Sequence, residues 1–202
     1  MTTLHLVRHG ETDWNAAGKL QGRRNSELTA RGKMQAARLA EQLLRYSFHK
    51  IISSSSKRAV QTAQILADRL GLPVMETDAL WEINLGPWEG RLKIEIKKEN
   101  PVEFDHFWNK PDHFALPGAE TFEQLQRRGL AAIRNIVAEY HEQRVLVVSH
   151  GAMIKSILSH FDGRPLCNLW QPPELHNCAH SIVEFAADGG HLIRQFAGCN
   201  TW

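Results

Sequence analysis

The 202-residue sequence has little cysteine, little net charge and no long apolar run. Its three cysteines, Cys167, Cys178 and Cys199, are an odd number without a CxxC pair, which argues against a disulfide framework. Lysine and arginine (24) barely exceed aspartate and glutamate (22), so no basic patch for nucleic acid is expected. No segment approaches membrane-spanning length, and Arg8 comes too early for the apolar part of a signal peptide. These absences predict a cytoplasmic protein that binds neither nucleic acid nor membranes.

What the chain does contain is an alternation of short apolar runs with longer amphipathic segments. The predicted strands are 3–7, 50–52, 73–77, 144–151, 180–185 and 191–196, and the predicted helices are 29–47, 53–71, 122–140 and 152–160. Strands that alternate with helices predict an α/β protein, a three-layer αβα sandwich whose mostly parallel sheet is covered on both faces. The length fits one domain over residues 1–202.

The stretch from about 84 to 117 interrupts this alternation. It is rich in Trp, Phe, His, Pro and charged residues and shows no regular apolar period. We expect a partly helical insertion that lies above the sheet and covers the substrate pocket. The cations of its segment GRLKIEIKKEN (90–100) have acidic residues within a turn or two, which is typical of a solvated face.

Four predicted strands end in side chains that are unusual at such positions. Arg8-His9-Gly10 follows the first strand, Arg58 the second and Trp81-Glu82 the third, and the fourth strand ends in Ser149-His150-Gly151. Open α/β sheets bind ligands beyond the carboxyl ends of their strands, so we expect these groups to meet at one rim. Two guanidinium groups near a helix N-terminus match the oxygens of a phosphate. An imidazole beside them can act as a nucleophile without a metal.

The segments RHGETDWN (8–15), SSSSKRAVQTA (53–63), EINLGPWEG (82–90) and VVSHG (147–151) resemble the four signature blocks of the histidine phosphatase superfamily, also called the phosphoglycerate mutase-like family. They occur in the family's order, and each lies at a predicted strand end. The resemblance implies the phosphoglycerate mutase-like fold and an enzyme that needs neither a cofactor nor a metal ion.

The resemblance also implies roles for matching residues. His9 would attack phosphorus and become phosphohistidine, and Glu82 would donate a proton to the leaving oxygen. Arg8, Arg58 and His150 would hold the phosphoryl oxygens. The further residues expected to contact the substrate are Asn15, Gln21, Gly22 and Gly151.

Two other carboxylates are alternatives for the proton donor. Glu11 lies beside the nucleophile in sequence, and Glu120 follows a Pro-Gly turn. Whichever carboxyl group is the acid must be protonated, whereas His9 must be neutral, a state that nearby guanidinium groups favour. We therefore expect turnover to have an acidic to neutral pH optimum.

His176, Cys178 and His180 have the alternate spacing that would put them on one face of a strand. No fourth ligand is evident in the sequence, so we favour a structural role over a metal site.

The function implied by the resemblance is a metal-independent phosphomonoester hydrolase with broad specificity for small phosphate esters, closest to broad-specificity bacterial phosphatases. A phosphoglycerate mutase shares the site, but the segment FDHFWNKPDHF (104–114) offers aromatic side chains instead of an arginine cluster, which favours an apolar or varied leaving group. An α-ribazole phosphatase and a non-enzymatic module that binds phospho-ligands remain alternatives. The aromatic surface could also support a homodimer.

Overall fold

The computed structural model describes the backbone of residues 1–200 and the side chains of residues 1–198. The side chain of Cys199 lies outside the described part, and Cys167 and Cys178 are free thiols. Within the described residues, no helix combines the length and the apolar character needed to span a membrane.

Seven strands form one sheet in the order β3-β2-β4-β1-β5-β6-β7. The strands are β1 (Thr2–Arg8), β2 (Lys50–Ser54), β3 (Val74–Thr77), β4 (Arg144–Ser149), β5 (His180–Phe185), β6 (His191–Phe196) and β7 (Cys199–Asn200). The α-helices are α1 (Asp13–Ala16), α2 (Ala30–Leu43), α3 (Lys57–Leu70), α4 (Lys93–Glu99), α5 (Pro101–Asn109), α6 (Phe122–Glu139) and α7 (Gly151–Phe161). Short 3-10 turns lie at Asp78–Leu80, Gly86–Trp88, Pro111–His113 and Leu166–Asn168.

Strands β1 to β4 are mutually parallel, and β5, β6 and β7 add an antiparallel edge. In the pairing of β1 with β4, Arg8 lies opposite Ser149. The turns that follow these two residues therefore leave the same edge of the sheet side by side. This register brings His9 and His150 together although 141 positions separate them in the sequence.

Helices cover both faces of the sheet. Along β4, Leu146 and Val148 belong to the hydrophobic cluster formed with α2 and α3. Val145 and Val147 belong to the opposite cluster, formed with α6 and α7. Because successive side chains of a strand point to opposite faces, one apolar run supplies two cores. The predicted αβα sandwich is confirmed.

The ends of two helices differ from their predictions. Thr29 caps α2 by accepting a hydrogen bond from the Gly32 N–H at 3.0 Å, but the helix ends at Leu43. Helix α3 begins only at Lys57, and Ser56 at its N-cap makes no side-chain capping bond. The predicted start of this helix at residue 53 is therefore wrong, because Ser53 and Ser54 belong to β2.

The aromatic side chains of residues 84–117 pack against each other and against the core. The ring of Phe107 lies 5.2 Å from that of Phe114 and 5.1 Å from that of Phe122, measured between centroids. The strongly exposed apolar side chains of this stretch are aliphatic, Ile94 and Val102. The aromatic surface on which a homodimer was expected is thus internal, and both the homodimer and the role of residues 84–117 as an inserted cover stay predictions.

A buried pair of histidines joins β1 to the antiparallel edge. His5 Nδ1 and His180 Nε2 lie 2.8 Å apart, with Tyr46 and Phe48 packed against the His5 ring. Burial, followed by the charges of His180, Arg144 and Arg45, lowers the pKa of His5 to about 2. Burial, followed by the charge of Arg45, lowers the pKa of His180 to about 4. Both imidazoles are therefore neutral in the folded protein near neutral pH.

This pair predicts that the fold is sensitive to acid. In the unfolded chain a histidine takes up a proton below its ordinary pKa of 6.5, whereas the folded His5 and His180 do not. Their contribution is therefore complete well above pH 6.5 and is lost as pH falls below it, by about 1.4 kcal/mol per histidine at pH 5.5. Urea unfolding at pH 7.5 and 5.5 measures this loss.

The variant His5→Gln should lose less stability between the two pH values than the wild type. The matched control is His113→Gln, because the His113 side chain is 64% exposed, and it should follow the wild type. An undiminished pH dependence in His5→Gln would contradict the assignment.

Candidate active site

A cavity of about 450 Å³ opens beyond the carboxyl ends of the parallel strands. All but one of the predicted site residues line it: Arg8, His9, Asn15, Gln21, Gly22, Arg58, Glu82 and Gly151. The exception is His150, which is fully buried, with its ring centroid 5.4 Å from that of His9.

The ring of His9 is held in one orientation. Its Nδ1 lies 2.7 Å from the Gly10 carbonyl oxygen, which can only accept, so Nδ1 donates and Nε2 keeps its lone pair. That Nε2 accepts a hydrogen bond from Arg58 Nε at 3.3 Å. Burial, followed by the charges of Arg58 and Arg8, holds the pKa of His9 well below its usual range. His9 is therefore a neutral imidazole with an available lone pair, the state that a nucleophile requires.

The turn after His9 requires glycine because it packs tightly on the start of α2. A Cβ on Gly10 would lie 2.6 Å from the carbonyl oxygen of Gly32. The Gly10 N–H donates to Thr62 Oγ1 at 3.0 Å, a contact that the sequence analysis did not identify. Thr62 follows Arg58 by one helical turn, so α3 supplies both the cation and the anchor of this turn.

Arg58 is almost completely buried and has no carboxylate in salt-bridge contact among the described residues. Its two terminal nitrogens donate to the carbonyl oxygens of Gly22 and Arg24, at 2.7 and 2.8 Å. Burial lowers the pKa of Arg58 to about 10, so the guanidinium stays charged at neutral pH. The loop around Gly22 thus orients a buried positive charge towards His9.

Gly22 allows this loop to approach Glu89. Its φ of +54° lies in the left-handed region, and a Cβ at this position would lie 2.2 Å from Glu89 Oε1. The same oxygen accepts hydrogen bonds from the N–H groups of Arg23 and Leu85. The Glu89 carboxylate therefore links two loops beside the cavity, and only a residue without a side chain fits between them.

Arg8 and His150 each have a buried nitrogen with no partner among the described residues. These atoms are Arg8 Nε and His150 Nδ1. The Arg8 guanidinium donates a hydrogen bond to the Leu175 carbonyl oxygen at 2.6 Å. His150 Nε2 lies 2.8 Å from Ser54 Oγ. Burial lowers the pKa of Arg8, and burial together with the charge of Arg58 holds the pKa of His150 well below its usual range. Unpartnered buried polar atoms next to His9 are consistent with a site that binds an oxyanion.

Glu82 accepts three backbone hydrogen bonds. Its Oε2 accepts from the Ala152 N–H, and its Oε1 accepts from the N–H groups of Met153 and Ile83, all at 3.0 Å. Two of these donors belong to the first turn of α7, so the carboxylate lies at the positive end of that helix. Glu82 thereby connects the loop after β3 to the turn that contains His150.

The two alternative proton donors lie elsewhere. Glu11 accepts from Thr29 Oγ1 at 2.9 Å and pairs with Arg31 at 3.4 Å. Glu120 makes two hydrogen bonds, both of 3.0 Å, to the Arg128 guanidinium. Neither carboxylate lines the cavity, whereas Glu82 does.

Asn15 and Gln21 differ in how much of their amide groups remains available. Asn15 Oδ1 accepts from the Thr12 N–H and from Asn177 Nδ2, both at 3.2 Å, which leaves the Asn15 amide nitrogen for a ligand. Gln21 donates to Thr12 Oγ1 at 2.9 Å and accepts from Ser26 Oγ at 2.7 Å. Gln21 therefore braces the loop at the cavity.

A strap, residues 171–177, closes one side of the cavity. Lys155 Nζ donates to the carbonyl oxygens of Gln171 and Pro173 at 2.6 and 2.7 Å, and Arg164 also donates to the strap. Burial lowers the pKa of Lys155 to about 8. The strap in turn supplies the Leu175 carbonyl to Arg8. No sequence motif indicated this arrangement, because the acceptors are main-chain carbonyls.

Two lysines in the cavity wall were also missed. The prediction that cations 90–100 are paired on a solvated face holds for Arg91, which pairs with Glu99 at 2.6 Å. It is wrong for Lys93, which lines the cavity together with Lys19. The aromatic part of the wall consists of Phe107, Trp108 and Trp170. The only signal in the sequence was that Lys19 directly precedes the segment LQG (20–22), which was expected at the pocket.

His176, Cys178 and His180 do not share a strand face. Cys178 has a φ of +57° in a turn, His176 is exposed at the cavity rim, and His180 is buried against His5. The shared face that a strand would have given does not form, because β5 begins only at His180, as its predicted start at 180 requires. Among the described side chains, no group of three His, Cys, Asp or Glu residues could hold a metal ion.

Gly22→Ala should disturb the site more than the strain of a left-handed alanine would by itself. A left-handed alanine costs about 1–2 kcal/mol, and here the Cβ would also push Glu89 and the carbonyl that holds Arg58. We expect a larger loss in urea unfolding and at least about tenfold weaker binding of inorganic phosphate by calorimetry. Gly71→Ala is the matched control, since Gly71 has a φ of +69° with open space around it. Equal effects of both substitutions on phosphate binding would contradict this account.

The chain resembles known proteins over nearly its whole length. The family model described as histidine phosphatase superfamily (branch 1) matches residues 4–197. A protein of Bacillus subtilis (strain 168) named uncharacterized phosphatase PhoE is 35% identical over 188 residues, 93% of this chain and 91% of the relative. Phosphoserine phosphatase 1 of Hydrogenobacter thermophilus is 32% identical over 200 residues, 99% of this chain and 94% of the relative.

Among solved structures, Bacillus stearothermophilus YhfR superposes with a TM-score of 0.95 at 36% identity, covering 100% of this chain and 98% of its own. The match to the family model, the relatives that cover almost all of the chain and the shared fold agree with the geometry of the site. The chain belongs to the histidine phosphatase superfamily.

Proposed function

We propose that the protein is a metal-independent phosphomonoester hydrolase of broad specificity for small phosphate esters, acting through a phosphohistidine at His9. The observation that supports this most strongly is the neutral His9, whose Nε2 lone pair faces Arg58. The unpartnered Arg8 Nε nearby is a donor for a phosphoryl oxygen. Phosphatases among the relatives at over 30% identity support the same reaction class.

The proposed reaction has two steps. In the first, the His9 Nε2 lone pair attacks phosphorus, the bond from phosphorus to the ester oxygen breaks, and Glu82 gives its proton to that oxygen. In the second, water attacks phosphorus, its proton passes to the Glu82 carboxylate, and the bond to His9 breaks to release inorganic phosphate. Arg8, Arg58 and His150 hold the charge that spreads over the three phosphoryl oxygens, with Asn15 as a further donor.

The finer points of the proposal rest on the same site. Gln21, Gly22 and Gly151 form the wall against which the phosphoryl group lies. A substrate screen separates this proposal from its alternatives, which are a mutase activity, an α-ribazole phosphatase activity and ligand binding without turnover. The cytoplasmic location remains a prediction.

His9→Ala should abolish turnover. We expect hydrolysis of p-nitrophenyl phosphate in EDTA to fall by at least about a thousandfold, because the covalent route is lost. The wild type, quenched during turnover, should yield an acid-labile, alkali-stable phosphoenzyme labelled at His9. The exposed His113→Ala is the control and should keep both activity and label. A label found on a serine would overturn the mechanism.

Glu82→Gln should affect esters according to their leaving groups. An alkyl phosphate needs protonation of its leaving oxygen, so the rate of phosphoenzyme formation from it, measured in a single turnover, should fall by about a hundredfold or more. The p-nitrophenolate ion leaves without a proton, so the single-turnover burst of p-nitrophenolate should slow by less than about tenfold. Dephosphorylation, in which the Glu82 carboxylate accepts the proton of water, should slow equally for both esters. In the control Glu120→Gln, a structural ion pair is weakened and both substrates should change by the same factor.

The wild-type pH profile is a second check on Glu82. A proton donor gives an acidic to neutral optimum for alkyl esters, because the acid form is lost at higher pH. Turnover that rises steadily into alkaline pH would remove Glu82 from the acid role.

A further inference from the structure

The turn between the strap and β5 is hydrogen-bonded to the end of β1. The Cys178 N–H donates to the carbonyl oxygen of Arg8 at 3.1 Å, and the Arg8 N–H donates to the carbonyl oxygen of Ala179, also at 3.1 Å. These bonds continue the antiparallel pairing of β1 with β5, in which Val7 lies opposite His180. The main chain beside the nucleophile therefore fixes the position of this turn.

The chain reverses its direction sharply within the turn. The Ala179 N–H donates to the His176 carbonyl oxygen at 2.9 Å, and Cys178 has a φ of +57°. A left-handed conformation is uncommon for a residue with a side chain, and it persists where the surrounding structure requires it. The reversal brings the side chain of Asn177, the last residue of the strap, into contact with the main chain of His9.

The amide nitrogen of Asn177 connects two acceptors. Asn177 Nδ2 donates to the His9 carbonyl oxygen and to Asn15 Oδ1, both at 3.2 Å. A side-chain amide has two N–H donors, so these two bonds use both of them. Because the His9 carbonyl oxygen can only accept, the nitrogen and not the oxygen of Asn177 must lie on this side. The orientation of the Asn177 amide group is thereby settled.

Asn15 is oriented in turn by the donors around its oxygen. Asn15 Oδ1 accepts from the Thr12 N–H and from Asn177 Nδ2, and the Thr12 hydroxyl lies 3.2 Å from it. With its oxygen held in this way, Asn15 presents its amide nitrogen to the cavity that it lines. A rotated amide would place N–H groups against these donors and an oxygen against the oxygens of a bound phosphoryl group.

The two donor residues contribute differently. Thr12 is the N-cap of α1, the four-residue helix that contains Asn15, so its hydrogen bonds orient the amide only within that helix. Helix α1 buries none of its own residues. Asn177 instead connects Asn15 to the main chain of His9, and among the described side chains it is the one that hydrogen-bonds to both.

We propose that Asn177 is a positioning residue of the active site, which fixes Asn15 relative to His9 so that the Asn15 amide nitrogen donates to a phosphoryl oxygen. This proposal rests on the proposed hydrolase function and adds a residue that acts through another, since Asn177 does not line the cavity. A donor must be held within a fraction of an ångström of its productive place to be effective. The segment 176–180 thus contributes to the site through its asparagine.

A double-variant cycle on the binding of inorganic phosphate tests this role. Calorimetry measures the affinity without turnover. Asn15→Ala should weaken phosphate binding by about tenfold or more, the effect of one charge-assisted hydrogen bond, and Asn177→Ala should weaken it by about fivefold. In the Asn15→Ala background, Asn177→Ala should change the affinity by less than about twofold, because the group that Asn177 positions is already gone.

A purely structural role of Asn177 predicts a different result. If Asn177 only braces the turn at His9, Asn177→Ala weakens phosphate binding by the same factor in both backgrounds, and this additivity overturns the proposal. An Asn177→Ala variant that binds phosphate as tightly as the wild type also overturns it. Asn177→Ser is the second variant, because its shorter side chain cannot reach both acceptors, and its effect should likewise depend on Asn15.

The matched control is Asn109→Ala. It also removes an asparagine Nδ2 that donates a hydrogen bond, in this case to Asp105 Oδ1 at 2.7 Å on the exposed side of α5. Asn109 does not line the cavity, so this variant should bind phosphate like its parent in both backgrounds.

Failure of this proposal is distinguishable from failure of the function. If p-nitrophenyl phosphate is hydrolysed in a His9-dependent manner but the cycle is additive, only the role of Asn177 is wrong. If no ester is hydrolysed, the proposed function fails, whereas the binding cycle still decides whether Asn177 acts through Asn15.

Discussion

The structure depends on keeping two guanidinium groups, the buried Arg58 and the half-buried Arg8, beside an uncharged imidazole. Arg8 and Arg58 have no carboxylate in salt-bridge contact among the described residues, and a buried charge without partners is costly. Main-chain carbonyls of Leu175, Gly22 and Arg24 solvate them instead. Carbonyl dipoles stabilise the cations without neutralising them, so the positive potential at His9 persists. That potential, together with burial, keeps the imidazole neutral.

The segments around the site must hold these carbonyl groups against the two guanidinium groups, and this requirement determines much of the local structure. The Gly22 carbonyl reaches Arg58 because glycine adopts a left-handed conformation against Glu89. The Leu175 carbonyl reaches Arg8 because the strap is fastened by Lys155. Glu89 and Lys155, which hold these two segments in place, thus help to decide how the cations of the site are oriented. This also explains why the buried Lys155 has main-chain carbonyl partners and no carboxylate in salt-bridge contact among the described residues.

The sheet decides which strand ends can cooperate. Parallel pairing of β1 with β4 sets Arg8 opposite Ser149, and Glu82 then binds the first turn of α7 through Ala152 and Met153. The carboxylate is in this way tied to the element that follows His150. The aromatic cluster of residues 84–117 completes the wall on the other side, while the paired segments 18–20 and 90–93 bring two lysines into it.

The sequence by itself determined the order of strands and helices, the two-faced apolar pattern of β4 and the residues at the strand ends, because these depend on local periodicity and on motifs. It did not determine the strap, the positions of Lys19 and Lys93 or the separation of His176 from His180. Those depend on main-chain carbonyls, turn geometry and contacts between distant segments, which leave no pattern in side-chain chemistry. Lys93 and Arg91 look alike in the sequence, and only tertiary packing gives one a carboxylate and the other a cavity.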